Sequence, residues 1–253
     1  MSDEVLVHVA DGVIEVTINR PEAKNAMSKA AAEGISDAMD RLEAENDLRC
    51  AIVTGAGGTF CSGMDLKGFL RGEMPVAGDR GFGALTSWTP TKPVIAAVDG
   101  FAYAGGMELA LACDLIVANV NAKFGIPEAK RGLVAAGGGV IQLPRLLPRP
   151  LAMELALTGD PITAQRAYDL GLVNRLTEGP AIEGARELAR AIAANGPLAV
   201  IASKGIIRDS WLWSEDEAMV KQSGYIGHVF SSEDAREGAM AFAEKRKPNW
   251  QGK

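Results

Sequence analysis

The sequence predicts an α/β fold that contains a parallel sheet and is followed by a helical C-terminal region. Strand-like and helix-like segments alternate over roughly the first 180 residues. An alternating hairpin pattern opens the chain, and from Ala181 onward the pattern is helical throughout. With 253 residues and 47% hydrophobic composition, the chain can bury a substantial core.

The first elements follow from local signals. "EVLVHVADGVIEVTINR" alternates apolar and polar residues on both sides of Asp11-Gly12, which predicts two antiparallel strands joined by a tight turn. Ser28 can then cap a helix. The apolar residues of this helix recur at helical spacing, at Ala31, Ile35, Met39 and Leu42.

Three short apolar runs, "CAIVT", "PVIAAV" and "DLIVA", predict buried strands. "TGAGGTF" after the first run is similar to a dinucleotide-binding loop. The third glycine of that fingerprint would fall at Phe60, so we expect no such site. Helices are predicted at 181–194, 198–211, 214–230 and 232–245.

Charge and composition exclude several functions. A net charge of −6 argues against nucleic-acid binding. The acidic start lacks the features of a signal peptide and no apolar run could span a bilayer, so we expect a cytoplasmic protein with no membrane partner. His8 and His228 lack an acid or nucleophile pattern, and the three cysteines are widely spaced, so we expect core cysteines and no metal site.

"FAYAGGMELALACD" places Glu108 in an otherwise apolar run. Its neighbours three and four positions away are Ala104, Gly105, Leu111 and Ala112, so the predicted helix offers this carboxylate no polar face. Glu108 is therefore either a buried glutamate held by a hydrogen bond or an ion pair, or a catalytic carboxylate in a dry pocket.

A second carboxylate, Glu128, follows Pro127 in the segment "AKFGIPEAKRGL". Taken alone, Pro-Glu is typical of an exposed helix start. Together with Glu108, it could form a general acid and base pair, provided that the fold brings the two side chains together.

Longer blocks carry a family resemblance. "INRPEAKNAM", "FCSGMDLK", "KPVIAAVDGFAYAGGMELALACDLIVA", "AKFGIPEAKRGL", "LTGDPITAQRAYDLGLVNRL" and "FAEKRKPNW" resemble, in order, the signature blocks of the enoyl-CoA hydratase (crotonase) superfamily. The resemblance implies a spiral of ββα units over residues 1–180 and a C-terminal helical trimerisation region over 181–253. It also implies a homotrimer or a dimer of trimers.

The resemblance assigns roles to particular residues. Met64 and Gly105 match the backbone N–H donors that bind the thioester oxygen as it gains charge, and a helix start suits that role. Glu108 matches the base that helps water attack C3, and Glu128 matches the acid that protonates C2. Having both carboxylates favours hydration of a 2-enoyl-CoA, as in fatty-acid or related acyl-CoA β-oxidation.

The substrate is expected to be an acyl-CoA thioester, and no cofactor is expected because coenzyme A is part of that substrate. Lysines are needed to neutralise its phosphates. The predicted substrate-binding residues are Lys24, Ala26, Ser62, Asp65, Lys67 and Gly106, with Phe242 and Lys245 supplied by a neighbouring subunit.

Other features leave the substrate open. Ala104 replaces a family glycine, and Ala135-Ala136 replace a common Pro-Gly pair beside the water site and acyl pocket. The segment "FLRGEMPVAGDRGFGALTSWTP" is expected to line the acyl pocket without revealing the acyl group. The alternatives are a Δ3,Δ2-enoyl-CoA isomerase that uses Glu128 alone and a homologue that binds acyl-CoA without turnover. A serine hydrolase would need a histidine that neither His8 nor His228 supplies.

Overall fold

The computed structural model describes residues 3–253. The strands are β1 Val5–Ala10, β2 Val13–Ile18, β3 Cys50–Gly55, β4 Val94–Val98, β5 Phe101–Tyr103, β6 Leu115–Asn119, β7 Lys123–Gly125, β8 Ile162–Thr163 and β9 Arg175–Thr177. The helices are α1 Lys29–Ala44, α2 Leu66–Leu70, α3 Gly105–Ala112, α4 Gly139–Leu146, α5 Arg149–Thr158, α6 Ala164–Asp169, α7 Ala181–Ala193, α8 Pro197–Asp209, α9 Glu215–Phe230 and α10 Glu233–Glu244.

The main sheet has six strands in the order β1-β2-β3-β4-β6-β9. Its first pair is antiparallel and the following pairs are parallel. A smaller sheet pairs β5 with β7 and β7 with β8. All five residues of β4 are buried, as expected for a central parallel strand that is covered on both faces.

Alternate residues of β3 face two different hydrophobic clusters. Ala51 and Val53 belong to the larger cluster, which also contains the buried face of α1. Cys50 and Ile52 belong to the smaller cluster, which contains residues of α7. The alternation follows from the two-residue period of a strand, and it places one helix on each face of the sheet.

Helix α7 packs closely on the sheet. An added Cβ at Gly184 would lie 2.7 Å from the Thr177 side chain, so the helix needs a small residue here. The Ala181 N–H, at the helix start, donates to the Asp99 carboxylate at 3.1 Å. The first helix of the predicted C-terminal region thus covers the core sheet, and the domain boundary after residue 180 stays a prediction.

Several local predictions are confirmed. Strands β1 and β2 pair in an antiparallel hairpin, as predicted. At the start of α1, the Ser28 hydroxyl oxygen accepts a hydrogen bond from the Ala31 N–H at 3.0 Å. The four C-terminal helices begin and end within two residues of the predicted bounds. The largest difference is at the end of α8, where a 3-10 turn over Ser210–Leu212 continues the helix. His8 lies in β1 and His228 in α9, as expected.

The last residues fold back onto the C-terminal helices. The Asp234 carboxylate, at the start of α10, accepts from the Gln251 N–H at 2.7 Å and the Gly252 N–H at 2.9 Å. The Trp250 indole N–H donates to the Ala194 carbonyl, at the end of α7, at 2.8 Å. We call residues 250–253 the tail clasp, because they join α10 to α7. Within residues 3–253, no helix is both long and apolar enough to cross a membrane.

Candidate active site

Glu108 lies in the first turn of α3, a helix with seven buried residues. The residue is only 5% exposed. Its Oε1 atom accepts from the Gly139 N–H at 2.8 Å, and the Gly137 N–H also donates to the carboxylate. Burial raises the pKa of the Glu108 carboxyl group, and these two N–H groups offset part of the rise.

The sequence left two possibilities for Glu108, and the structure combines a part of each. The carboxylate is buried and hydrogen-bonded, but within residues 3–253 it forms no ion pair. Both of its hydrogen bonds come from neutral backbone groups, and the carboxylate lines a cavity. A buried carboxylate without a cationic partner is typical of a catalytic group.

Glu128 lies in a 3-10 helix, Pro127–Arg131, and is half-buried. Its Oε2 atom is buried and has no hydrogen-bond partner in the part of the chain that the structure describes. Burial raises the pKa of the Glu128 carboxyl group, and the negative charge of Glu108 raises it further. The alternative of an ordinary exposed helix start is therefore wrong.

The negative charge of Glu108 acts on the Glu128 carboxyl group, so the two carboxylates interact electrostatically. Their surroundings differ. Glu108 receives two backbone N–H groups, which favour the ionised form, whereas Glu128 has an unpaired oxygen and faces a like charge, which favours the protonated form. The pair therefore suits one base and one acid.

The two backbone N–H groups predicted to bind the thioester oxygen belong to segments that touch each other. Met64 bridges Met27 in parallel fashion, and the bridge uses the Gly63 carbonyl and the Asp65 N–H. The Met64 N–H points away from the bridge. Gly105 begins α3, so its N–H has no acceptor inside the helix. An added Cβ at Gly63 would lie 3.3 Å from the Gly105 nitrogen, so the two segments touch.

The two glycines of "AGGME" have different surroundings. An added Cβ at Gly105 would meet the Phe82 ring, with its nearest atom at 2.4 Å. An added Cβ at Gly106 would lie 2.2 Å from the Cys61 carbonyl oxygen. Gly106 was predicted to bind substrate, and the structure places it, fully buried, against the Cys61 backbone.

The predicted coenzyme A residues near Met64 form one group. The Ser62 N–H donates to the Lys24 carbonyl at 3.1 Å, so Ser62 and the segment of Lys24 and Ala26 are adjacent. Lys67, in α2, is exposed. Asp65 caps α2 through the Lys67 and Gly68 N–H groups and accepts from Arg20 at 2.9 Å, so its carboxylate already has partners within the protein.

Phe242 and Lys245 lie elsewhere, at the end of α10. The Phe242 side chain is 87% exposed, and Lys245 is exposed just after the helix. Their contact with coenzyme A from a neighbouring subunit stays a prediction.

A cavity of about 520 Å³ has Glu108 in its wall. Leu85 and Thr86, from the segment expected to line the acyl pocket, also line it, and the Thr86 hydroxyl is buried with no hydrogen-bond partner in residues 3–253. Trp88 instead packs under the Arg80 guanidinium, whose Cζ lies 4.0 Å from the ring centroid. A cavity of this size suits a small-molecule substituent.

The sequence analysis missed the residues that hold Glu108. An added Cβ would lie 2.9 Å from a Glu108 oxygen at Gly137 and 3.0 Å from the Glu108 side chain at Gly139. The run "AAGGG" was a usable signal, because consecutive glycines often mark a place where something approaches the backbone closely. Ala135, where the family resemblance implied a proline, is buried beside Gly139.

Comparisons with known proteins identify the family to which the chain is similar. The enoyl-CoA hydratase/isomerase family model matches residues 8–253. A carnitinyl-CoA dehydratase of Proteus mirabilis is 42% identical over 262 residues, covering 100% of both chains. An enoyl-CoA hydratase of Mycobacterium tuberculosis is 44% identical over 259 residues, covering 99% of this chain and 97% of the relative. A solved enoyl-CoA hydratase structure from Mycobacterium tuberculosis H37Rv superimposes with a TM-score of 0.97 at 55% identity over 100% of both chains, which confirms the predicted fold class.

Proposed function

The chain belongs to the enoyl-CoA hydratase/isomerase family, and from that premise we propose that it adds water across the 2,3 double bond of a 2-enoyl-CoA thioester to give a 3-hydroxyacyl-CoA. It is an enzyme of the lyase class, in keeping with relatives that are named as hydratases and dehydratases. Its acyl-CoA substrate belongs to fatty-acid or related acyl-CoA metabolism.

The observation that carries this proposal is the pair of unlike carboxylates. Hydration needs a base for the attacking water and an acid for C2. Glu108, favoured in its ionised form by two N–H groups, takes a proton from water as the oxygen bonds to C3. Glu128, whose pKa is raised by burial and by the charge of Glu108, holds the proton that C2 receives.

The thioester oxygen gains negative charge between these two steps. In the proposed mechanism it accepts hydrogen bonds from the N–H groups of Met64 and Gly105; the contact between the Gly63 and Gly105 segments supports this pairing. These bonds strengthen as the charge develops, so they stabilise the transition state more than the bound substrate.

Coenzyme A enters the proposal as part of the substrate. Lys24 and Lys67 are exposed in segments that adjoin Met64, and in the proposal they neutralise the phosphates of coenzyme A. Phe242 and Lys245 would complete the site from a neighbouring subunit in a homotrimer or a dimer of trimers.

The test compares Glu108→Gln and Glu128→Gln with the parent in a crotonyl-CoA hydration assay that follows loss of the conjugated thioester absorbance. Each change should lower kcat by about 10²- to 10⁴-fold, the usual range for a positioned acid or base. Glu154→Gln, at an exposed position in α5, is the matched control and should leave kcat unchanged.

Two outcomes would contradict the proposal. Near-normal hydration by the Glu108→Gln variant would show that Glu108 is not the base. Conversion of a 3-enoyl-CoA to its 2-enoyl isomer that depends on Glu128 and is indifferent to Glu108→Gln would favour the isomerase.

A further inference from the structure

The wall of the 520 Å³ cavity runs from Glu108 along one face of α4. Gly138, just before α4, and Gln142, Arg145 and Leu146 within it all line the cavity. Gly138, Gln142 and Arg145 are spaced by four and three residues, which places them on one side of the helix. The Gly139 N–H holds Glu108 at the helix start. Arg145 is six residues farther along, or about 9 Å along the helix axis.

The acidic side chains in this wall, apart from Glu108, are neutralised by partners. Asp114 accepts from the Lys204 ammonium at 2.7 Å. Asp209 forms an ion pair with Arg208 at 2.6 Å and also accepts from the Tyr225 hydroxyl. Neither carboxylate is free to bind a cationic ligand.

Arg145, by contrast, has no partner among residues 3–253: it forms no ion pair there and donates no hydrogen bond. The Gln142 amide lines the same wall, and both Arg145 and Gln142 are exposed to the cavity side of the protein surface. A guanidinium and an amide are donors that proteins use for carboxylates. Beyond Glu108, the cavity is therefore complementary to an anion.

Resting on the proposed function, we propose that this cavity binds an acyl chain that ends in a carboxylate, and that Arg145 is the residue that selects it. The reacting end of the chain lies at Glu108, and the far end reaches the guanidinium. A plain alkyl end would make no hydrogen bond or ion pair with Arg145, whereas a carboxylate would make both. A quaternary ammonium end would face an unpaired cation, and the aromatic wall residue Trp211 would have to bind it without a free carboxylate.

The first test measures binding without turnover. Hexanedioyl-CoA and hexanoyl-CoA lack the double bond, so calorimetry reports their affinities whether or not the protein hydrates anything. We expect hexanedioyl-CoA to bind at least tenfold more tightly than hexanoyl-CoA. Arg145→Gln should bring that ratio close to one, because it removes the charged hydrogen-bond donor that sets the preference.

Two further variants separate recognition from general damage. Arg145→Lys keeps the charge and should retain part of the preference. Arg149→Gln removes an exposed arginine of α5 that does not line the cavity, so it should leave the ratio unchanged. Equal binding of the two ligands by the parent, or an equal loss of preference in Arg149→Gln, overturns the proposal.

The second test uses turnover. The kcat/KM of the parent is compared for 2-enoyl-CoAs whose chains end in a methyl, a carboxylate or a trimethylammonium group. The carboxylate should be preferred, mainly through a lower KM, and a preference for trimethylammonium overturns the assignment. If none of the three is hydrated while hexanedioyl-CoA still binds selectively, the proposed reaction fails and the selectivity stands.

Discussion

Glu108 and Glu128 are the same residue type in one site, and the protein gives them unlike surroundings. The Glu108 carboxylate accepts two backbone N–H groups, which are neutral, preorganised donors. Glu128 has an unpaired oxygen and feels the charge of Glu108. Because both pKa values are raised by burial, the pair titrates above the ordinary range of glutamate.

The effect of the Glu108 charge on the pKa of Glu128 can be tested by titration. In Glu108→Gln the neighbouring negative charge is gone, so the pKa of Glu128 should fall toward its ordinary value. Carbon-13 NMR of labelled glutamate carboxyl groups measures this shift, with Glu154→Gln as the control. An unchanged Glu128 pKa in Glu108→Gln would show that the two groups do not interact.

The same coupling shapes the pH dependence of hydration. The rate should rise with pH as Glu108 loses its proton, and it should fall at higher pH as Glu128 loses its own, so the optimum lies above the ordinary pKa of glutamate. The two limits belong to the coupled pair rather than to either residue alone.

At the scale of elements, the start of α3 decides how close a substrate can come. Ala104, just before the helix, has φ 53° and ψ −129°, a conformation that an alanine rarely adopts. The strained position of the turn therefore falls on Ala104 and not on Gly105. This explains why the family resemblance implied a glycine at position 104.

Gly105 and Gly106 form a matched pair for mutation. Gly105→Val should fold, because its side chain meets the Phe82 ring, which can move. The variant keeps its backbone N–H, but the added side chain should crowd the thioester away from that donor and lower kcat by at least about 10²- to 10³-fold, the cost of losing one oxyanion contact. Gly106→Val should fail to fold, because its Cβ would meet the Cys61 backbone. Circular dichroism and the hydration assay separate the two. Activity of Gly105→Val within tenfold of the parent would remove Gly105 from the proposed donor pair.

Elements with local signals could be predicted from the sequence. The hairpin turn, the Ser28 cap and the bounds of the C-terminal helices depend on neighbouring residues, and they are confirmed. The packing of α7 on the main sheet could not be predicted, because it depends on contacts such as Gly184 with Thr177 and Val117, and Val117 is distant in sequence. Gly139 holds Glu108 across 31 residues, so only the fold shows that partnership.

At the scale of the whole molecule, large apolar side chains are exposed on the C-terminal helices. Those that are more than 65% exposed and lie outside the cavity wall include Met219, Val220, Phe230 and Phe242. Exposure on this scale is typical of a surface that another protein covers. A second or third copy of this chain is the partner that the family resemblance implies.

We therefore expect a trimer, or a multiple of trimers, in sedimentation equilibrium at micromolar concentration. Lys245→Ala should then raise KM and leave kcat largely intact, because phosphate contacts are equal in the ground and transition states. Lys247→Ala, at a nearby exposed position, is the control. A monomer that is fully active would contradict both the assembly and the role of Lys245.

The tail clasp connects this assembly to residues far from any substrate. Helix α10 buries only Asp234 and Ala241, and Asp234 receives two of its hydrogen bonds from residues 251 and 252. The orientation of α10, and with it Lys245, therefore depends on the last few residues of the sequence. If the expected trimer places Lys245 against coenzyme A bound by its neighbour, loss of residues 250–253 should weaken the coenzyme A affinity of the neighbouring subunit, even where that subunit itself is intact.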